Sequence, residues 1–109
     1  MKNLDDFLKI TGALNDESRV KILAFLHKYG TLCVCDLQNS LQMIQSRLSR
    51  HLKILKDAGF LSVERKGVWA YYGLNENMNS YCKNALNEIQ NIQLNLPELN
   101  RITQKEKCF

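Results

Sequence analysis

The chain has 109 residues, 45% hydrophobic and 24% charged, with one proline and five glycines, which suits one globular domain and excludes a disordered or two-domain chain. Fifteen basic and eleven acidic residues leave a net charge of +4, and the absence of an apolar run near the roughly 20 residues of a membrane span excludes an integral helical membrane protein. The first ten residues, MKNLDDFLKI, carry acids where a signal peptide needs an apolar stretch, so a cytoplasmic protein without a membrane partner is expected. In that reducing compartment structural disulfides are rare. The four cysteines, Cys33, Cys35, Cys82 and Cys108, then stand as free, metal-binding or redox-sensing thiols.

Leu4, Phe7, Leu8, Thr11 and Leu14 recur at three- and four-residue spacing, predicting a first helix over residues 3–14. Asn15 and Asp16 are good caps for a second helix, which carries Val20, Leu23 and Leu26 on one face and stops near Gly30. A short third helix is predicted from Val34 to Leu41, and a fourth from Gln45 to Asp57 with Leu48, Leu52 and Leu55 on its apolar face. Between Ile44 and Lys56 stand Arg47, Arg50, Lys53, Lys56 and His51, with no acid. A basic run on a helix is the footprint of a nucleic-acid binder, although a solvated helix face accounts for charge equally well. The period then changes to two. Residues 61–74 alternate and are rich in β-branched and aromatic residues, with Lys66-Gly67 as the turn of a hairpin. Helical spacing returns over residues 76–96, through Met78, Cys82, Ala85, Ile89, Ile92 and Leu96, until Pro97.

The expected fold is mainly α with one small β-hairpin, in the order α-α-α-α-β-β-α. Residues 1–109 form a single domain, with a helix-turn-helix over about 33–58 and a wing over about 61–74. In a helix-turn-helix the second helix of the pair enters the major groove. The segments ALNDESRVKILAFL, LCVCDL, QSRLSRHLKILKDAGFL and KGVWAYYGL, in unbroken order over residues 10–75, resemble the ArsR/SmtB family of metal-responsive repressors. LCVCDL is similar to the thiolate motif of its arsenic- and antimony-sensing members. The resemblance implies a dimeric winged helix-turn-helix repressor that binds double-stranded operator DNA and releases it when As(III) or Sb(III) binds cysteine thiolates. Two departures stand out. Met43-Ile44 occupies the place of a Ser or Thr cap, and Gln38 stands where some relatives carry a third cysteine.

With Leu48, Leu52 and Leu55 inward, the fourth helix turns Gln45, Ser46, Ser49, Arg50 and Lys53 outward, with Arg47 at the flank. Gln45, Ser46, Ser49 and Arg50 are placed to reach base edges. His51, part of the family signature, is either a DNA contact or a helix-packing residue. Arg65 and Lys66 at the hairpin tip face flanking phosphate or minor groove, or are a charged turn touching nothing. Trp69, Tyr71 and Tyr72 are expected to pack the sheet on the helices rather than to stack bases. Apolar stripes on the first and last helices exceed what so small a core covers, which points to a homodimer.

Cys33 and Cys35 fall at the start of the short helix. At about 100° per residue their side chains would diverge by roughly 200°, so clasping one ion would require the first turn to open. From spacing alone the pair reads as small apolar filler or as ligands; the resemblance favours ligands. Relatives hold arsenic with three sulfurs, which makes Cys108 the candidate third ligand and leaves Cys82 a packing role. The last helix offers Glu88 but no histidine, unlike the family's zinc sites. Other inducers on the same fold are cadmium, lead or oxidants. A thiol enzyme would need C-x-x-C and a βαβ setting, and neither is present.

Overall fold

The computed structural model describes residues 3–101. Five helices and three strands follow in the order α1 (Leu4–Leu14), α2 (Glu17–Tyr29), β1 (Leu32–Cys33), α3 (Val34–Leu41), α4 (Gln45–Asp57), β2 (Leu61–Lys66), β3 (Trp69–Leu74) and α5 (Ser80–Gln90). The α3–α4 pair followed by the β2–β3 hairpin has the order expected of a winged helix-turn-helix.

Local chemistry sets the ends of these elements. Asn3, Asp16 and Asn79 accept backbone N–H groups from the first turns of α1, α2 and α5, satisfying donors that a helix leaves open. At the wing tip Lys66 pairs with Trp69 around the two-residue loop Gly67-Val68. Gly67 has φ +65° while Val68 stays on the negative side, the II′ arrangement whose twist matches a hairpin.

The sheet is antiparallel in the order β1-β3-β2. The short β1 was not visible to a period-two search because it spans only two residues. It pairs Leu32 with Tyr72 and Cys33 with Tyr71, so the hairpin is tied to the base of α3. A Cβ at position 73 would fall on the Thr31 side chain, which is why glycine stands where β1 crosses β3.

The core joins Ile22, Leu23, Phe25 and Leu26 of α2 to Leu37 of α3, to Leu48, Leu52 and Leu55 of α4, and to Phe60. Helix α2 is buried over a wider arc than its expected stripe because α1, α4, α5 and β3 all pack on it. Helix α1 leaves most of its expected apolar stripe uncovered by the core. Ile10 and Ala13 face the core, while Leu4, Phe7 and Leu8 are exposed.

The last helix is also shorter than residues 76–96. Asn75 turns its side chain onto the Asn77 N–H and Asn79 caps the Cys82 N–H, so these asparagines hold turn and cap geometry ahead of Ser80. Among the described residues beyond Gln90 there is no regular structure after the first turn, and Leu94 and Leu99 lie against the core. No described helix is long and apolar enough to cross a membrane.

Candidate nucleic-acid interface and thiol site

Helix α4 divides as its pattern demands. Leu48, Leu52 and Leu55 are buried, while Gln45, Ser46, Arg47, Ser49, Arg50 and Lys53 are exposed. Arg65 and Lys66 are exposed at the wing. Arg47, Arg50 and Arg65 make no ion pair among the described residues. Lys53 lies 3.0 Å from Asp57 in an exposed i,i+4 pair, and Lys66 lies over the Tyr71 ring. This face is therefore a set of open guanidinium groups around short polar side chains, suited to a polyanion.

His51 is a correction to the groove-contact expectation. It is 4% exposed because it falls on the same side of α4 as Leu48, Leu52 and Leu55. Its Nδ1 lies 3.1 Å from Arg19 Nη1. Arg19 also donates through Nε to the Ala13 carbonyl at 2.8 Å and through Nη2 to the Gly12 carbonyl at 3.3 Å. Arg19 thus ties the end of α1 to α4. A guanidinium can only donate, so Nδ1 accepts and the proton sits on Nε2, which has no partner among the described residues. Burial pushes the His51 pKa below 6.5, and Arg19, Arg47 and Arg50 push the same way against Asp16. For Asp16, burial works against the charge. The Arg19 backbone N–H and guanidinium outweigh it and hold the carboxyl below 3.8. Nothing in the sequence separated this packing histidine from a DNA-facing one, because its partner stands 32 positions away.

Cys33 and Cys35 lie at the other helix of the pair. Cys33 is the N-cap of α3, with extended backbone (φ −64°, ψ 145°). Its Sγ accepts the Cys35 N–H at 3.4 Å. The expected divergence of roughly 200° holds only between two residues inside a helix; Cys33 lies outside it and folds its sulfur back over the first turn. Both cysteines are 1% exposed and share a small apolar cluster with Trp69 and Tyr71. The aromatic residues of β3 therefore cover both sulfurs, which accords with a packing role. Cys33 is a free thiol, whereas Cys35 is disulfide-bonded, contrary to the expectation that structural disulfides are absent. Cys82 sits apart in the main core. Its S–H donates to the Ala58 carbonyl at 3.7 Å, and burial pushes its pKa up. Cys108 lies outside the described residues.

Cys33 and Cys35 form one wall of a cavity of about 130 Å³. Gln45 and Ser49 of α4 and Arg65 and Val68 of the wing form the others. Groups expected to face DNA and groups expected to take an ion thus border one small space. Among the described residues no three His, Cys, Asp or Glu side chains are gathered in a way that could hold a metal. In the reduced form these two neighbouring sulfurs would fit part of the coordination of a soft ion and suit no hard one.

Sequence reasoning missed one feature beside the thiols. The chain after α5 crosses α3, where Asn100 N–H donates to Ser40 Oγ at 2.7 Å and the Asn100 carbonyl accepts from Asn39 Nδ2 at 2.9 Å. Arg101 Nη1 lies 3.4 Å from the buried Asp36 carboxylate. Pairings across 60 or more positions leave no local mark in a sequence.

Comparison with known proteins places residues 16–63 in the family described as "Bacterial regulatory protein, arsR family". The chain is 48% identical over 64 residues to the arsenical resistance operon repressor of Bacillus subtilis, covering 59% of this chain and 61% of that one. It therefore spans about three fifths of that relative's length. Against the arsenical resistance operon repressor of Staphylococcus xylosus it is 36% identical over 88 residues, covering 81% of each. Among solved structures it superimposes on a homodimeric winged helix-turn-helix DNA-binding domain from Mycobacterium bovis with a TM-score of 0.68 at 24% identity, over 80% of this chain and 77% of that one. The fold is a winged helix-turn-helix.

Proposed function

The chain belongs to the arsR family of bacterial regulatory proteins, and from that premise we propose that it is a dimeric transcriptional repressor that leaves its operator when As(III) or Sb(III) binds its cysteine thiolates. The relatives' names supply the class of inducer. The observation that carries the coupling is the shared cavity, in which Cys33 and Cys35 stand across from Gln45, Ser49 and Arg65.

In this reading α4 lies in the major groove. Gln45, Ser46, Ser49 and Arg50 address base edges, while Arg47, Lys53, Arg65 and Lys66 address phosphate or the flanking minor groove. A second copy covers the exposed Leu4, Phe7 and Leu8 of α1 and Ile92 beyond α5. These two helices already lie together, with Phe7 stacked on Tyr81 at 5.4 Å. The two-fold axis then sets two recognition helices about one DNA turn apart.

Ion binding acts on the first turn of α3. Cellular thiols first reduce the Cys35 disulfide. The Cys33 thiolate that then ligates As(III) gives up its place as the cap of the Cys35 N–H, and both sulfurs must come out from under Trp69 and Tyr71. The turn loosens, the cavity against α4 is filled, and the recognition helix and wing lose their spacing. Cys108 supplies the third sulfur in this scheme. The clasp of Asn100 and Arg101 on α3 supports it by holding the chain, a few positions before Cys108, beside the helix that carries Cys35.

The test is operator release titrated with As(III), Sb(III), Cd(II), Zn(II) and peroxide, on the wild type, Cys35→Ser and Cys108→Ser. The expected result is release by As(III) and Sb(III) from wild type, none from Cys35→Ser, and weakened As(III) affinity in Cys108→Ser. Full release from Cys35→Ser overturns the switch. Release by Cd(II) or peroxide alone makes the protein a sensor of those agents instead.

A further inference from the structure

The helices α1, α2, α3 and α5 each begin with a side chain that accepts a first-turn N–H: Asn3, Asp16, the Cys33 thiol and Asn79. Helix α4 begins with Ile44, which makes no side-chain cap hydrogen bond. Ile44 is 69% exposed. The position thus forgoes a cap that Ser, Thr, Asp or Asn would provide, and it presents a branched aliphatic side chain to water. A single exposed aliphatic residue is ordinary on a protein surface. Here it breaks a local rule at the end of the helix that the proposed function places in the groove, where such violations mark function.

Its surroundings identify what it meets. Gln45, Ser46 and Arg47 follow it directly, Ser49 and Arg50 lie one turn on, and all are exposed. No acid stands between Ile44 and Lys56. An apolar protein partner would have to bury the open guanidinium groups of Arg47 and Arg50 beside Ile44, at a high desolvation cost. Duplex DNA instead gives those groups phosphates and base acceptors, and it offers one apolar feature in the major groove, the C5-methyl of thymine.

Resting on the repressor reading, we propose that Ile44 is a specificity-determining residue, and that its side chain packs on the methyl group of a thymine in each operator half-site. The position has given up a helix cap for an apolar contact that only a methylated pyrimidine can complete.

The experiment selects a tight duplex from a random pool with the full-length dimer, then replaces each thymine with deoxyuridine, which removes the methyl and leaves the pairing intact. In the wild type, one thymine per half-site should weaken binding about fourfold when demethylated, and roughly fifteenfold when both half-sites are changed, the scale of one buried methyl-sized group. Ile44→Ser should bind the thymine and uracil duplexes alike. Because serine restores the cap, its Tm should be no lower than that of the wild type. Ile44→Val should keep the preference. Val68→Ser, which removes the other exposed aliphatic side chain bordering α4, should keep it as well.

The scan on wild type alone decides the matter even if a variant folds poorly. A scan in which no deoxyuridine weakens binding overturns the assignment, as does an Ile44→Ser protein that discriminates like wild type. A dimer that selects no duplex in a salt-dependent way overturns the repressor reading, and this assignment with it.

Discussion

The two helices of the reading motif begin in opposite ways. At the start of α3 the cap is a thiol, 1% exposed and covered by Trp69 and Tyr71. At the start of α4 there is no side-chain cap, and Ile44 is 69% exposed. Neither end uses the residue that stability alone would select, since a hydroxyl or carboxamide caps better than either. The difference teaches what each end is kept for. In the proposed reading the first withholds sulfur from solvent until an ion draws it out. In the same reading the second holds apolar and cationic groups in the open for DNA.

The contrast predicts that the two ends fail separately. The largest effect should come from Arg50→Ala, which removes an open guanidinium from the centre of the exposed face. Operator affinity should fall about ten- to a hundredfold at fixed salt, with As(III) affinity unchanged. Gel-shift titration beside an arsenic-binding titration measures both. If arsenic affinity falls with DNA affinity, the two ends are one site and the comparison fails.

A smaller effect sharpens the contrast at the thiol. Cys33→Ser exchanges a weak sulfur acceptor for a hydroxyl, a preferred cap, inside a buried apolar cluster where a hydroxyl is less welcome. The two tendencies oppose, so unfolding stability by denaturant titration should stay within about 1 kcal/mol of wild type. DNA binding should persist and the response to As(III) should vanish. A loss of several kcal/mol would mean that the thiol is chiefly structural.

How much of this could be read in the chain follows from the range of the interactions involved. The limits of α3 and α4 and the wing were legible because apolar period, caps and turn chemistry are local. The exposed face of α4 was legible for the same reason: once Leu48, Leu52 and Leu55 face inward, Gln45, Ser49 and Arg50 have one place to go. The strand β1 was not, since two residues carry no period and Leu32-Cys33 becomes a strand only by pairing with β3. The divergence of Cys33 and Cys35 was misjudged because helical geometry was extended to Cys33, the residue just before the helix, and apolar spacing alone does not reveal an N-cap. The extent of α5 was overread because Ile92 and Leu96 continue a helical spacing past the point where the chain leaves the helix. His51 fits the outward basic run by composition and the inward leucine side by angle, and only Arg19, on another helix, decides between them.

That tie between Arg19 and His51 yields the smallest effect, and it separates α4 from α3 in a different way. His51 is buried and neutral, with a pKa pushed below 6.5 by burial and by Arg19, Arg47 and Arg50. The unfolded chain takes up a proton at a higher pH than the folded one, so the folded state loses ground as pH falls from about 6.5 toward the lower native value. The stability that neutral His51 contributes is fully present above that range. Asp16, the other member of the cluster, has its pKa held below 3.8, so its own contribution is lost only under much more acid conditions and leaves the interval from pH 7 to pH 5 to the histidine. His51→Asn keeps an acceptor for Arg19 without a group that titrates there. The variant should be less stable than wild type at pH 7 because it packs less well beside Leu48 and Leu52, and the gap in Tm should narrow steadily down to pH 5. A gap that stays constant across that interval would mean that His51 keeps its charge state through it, and that Arg19 holds α4 by geometry alone.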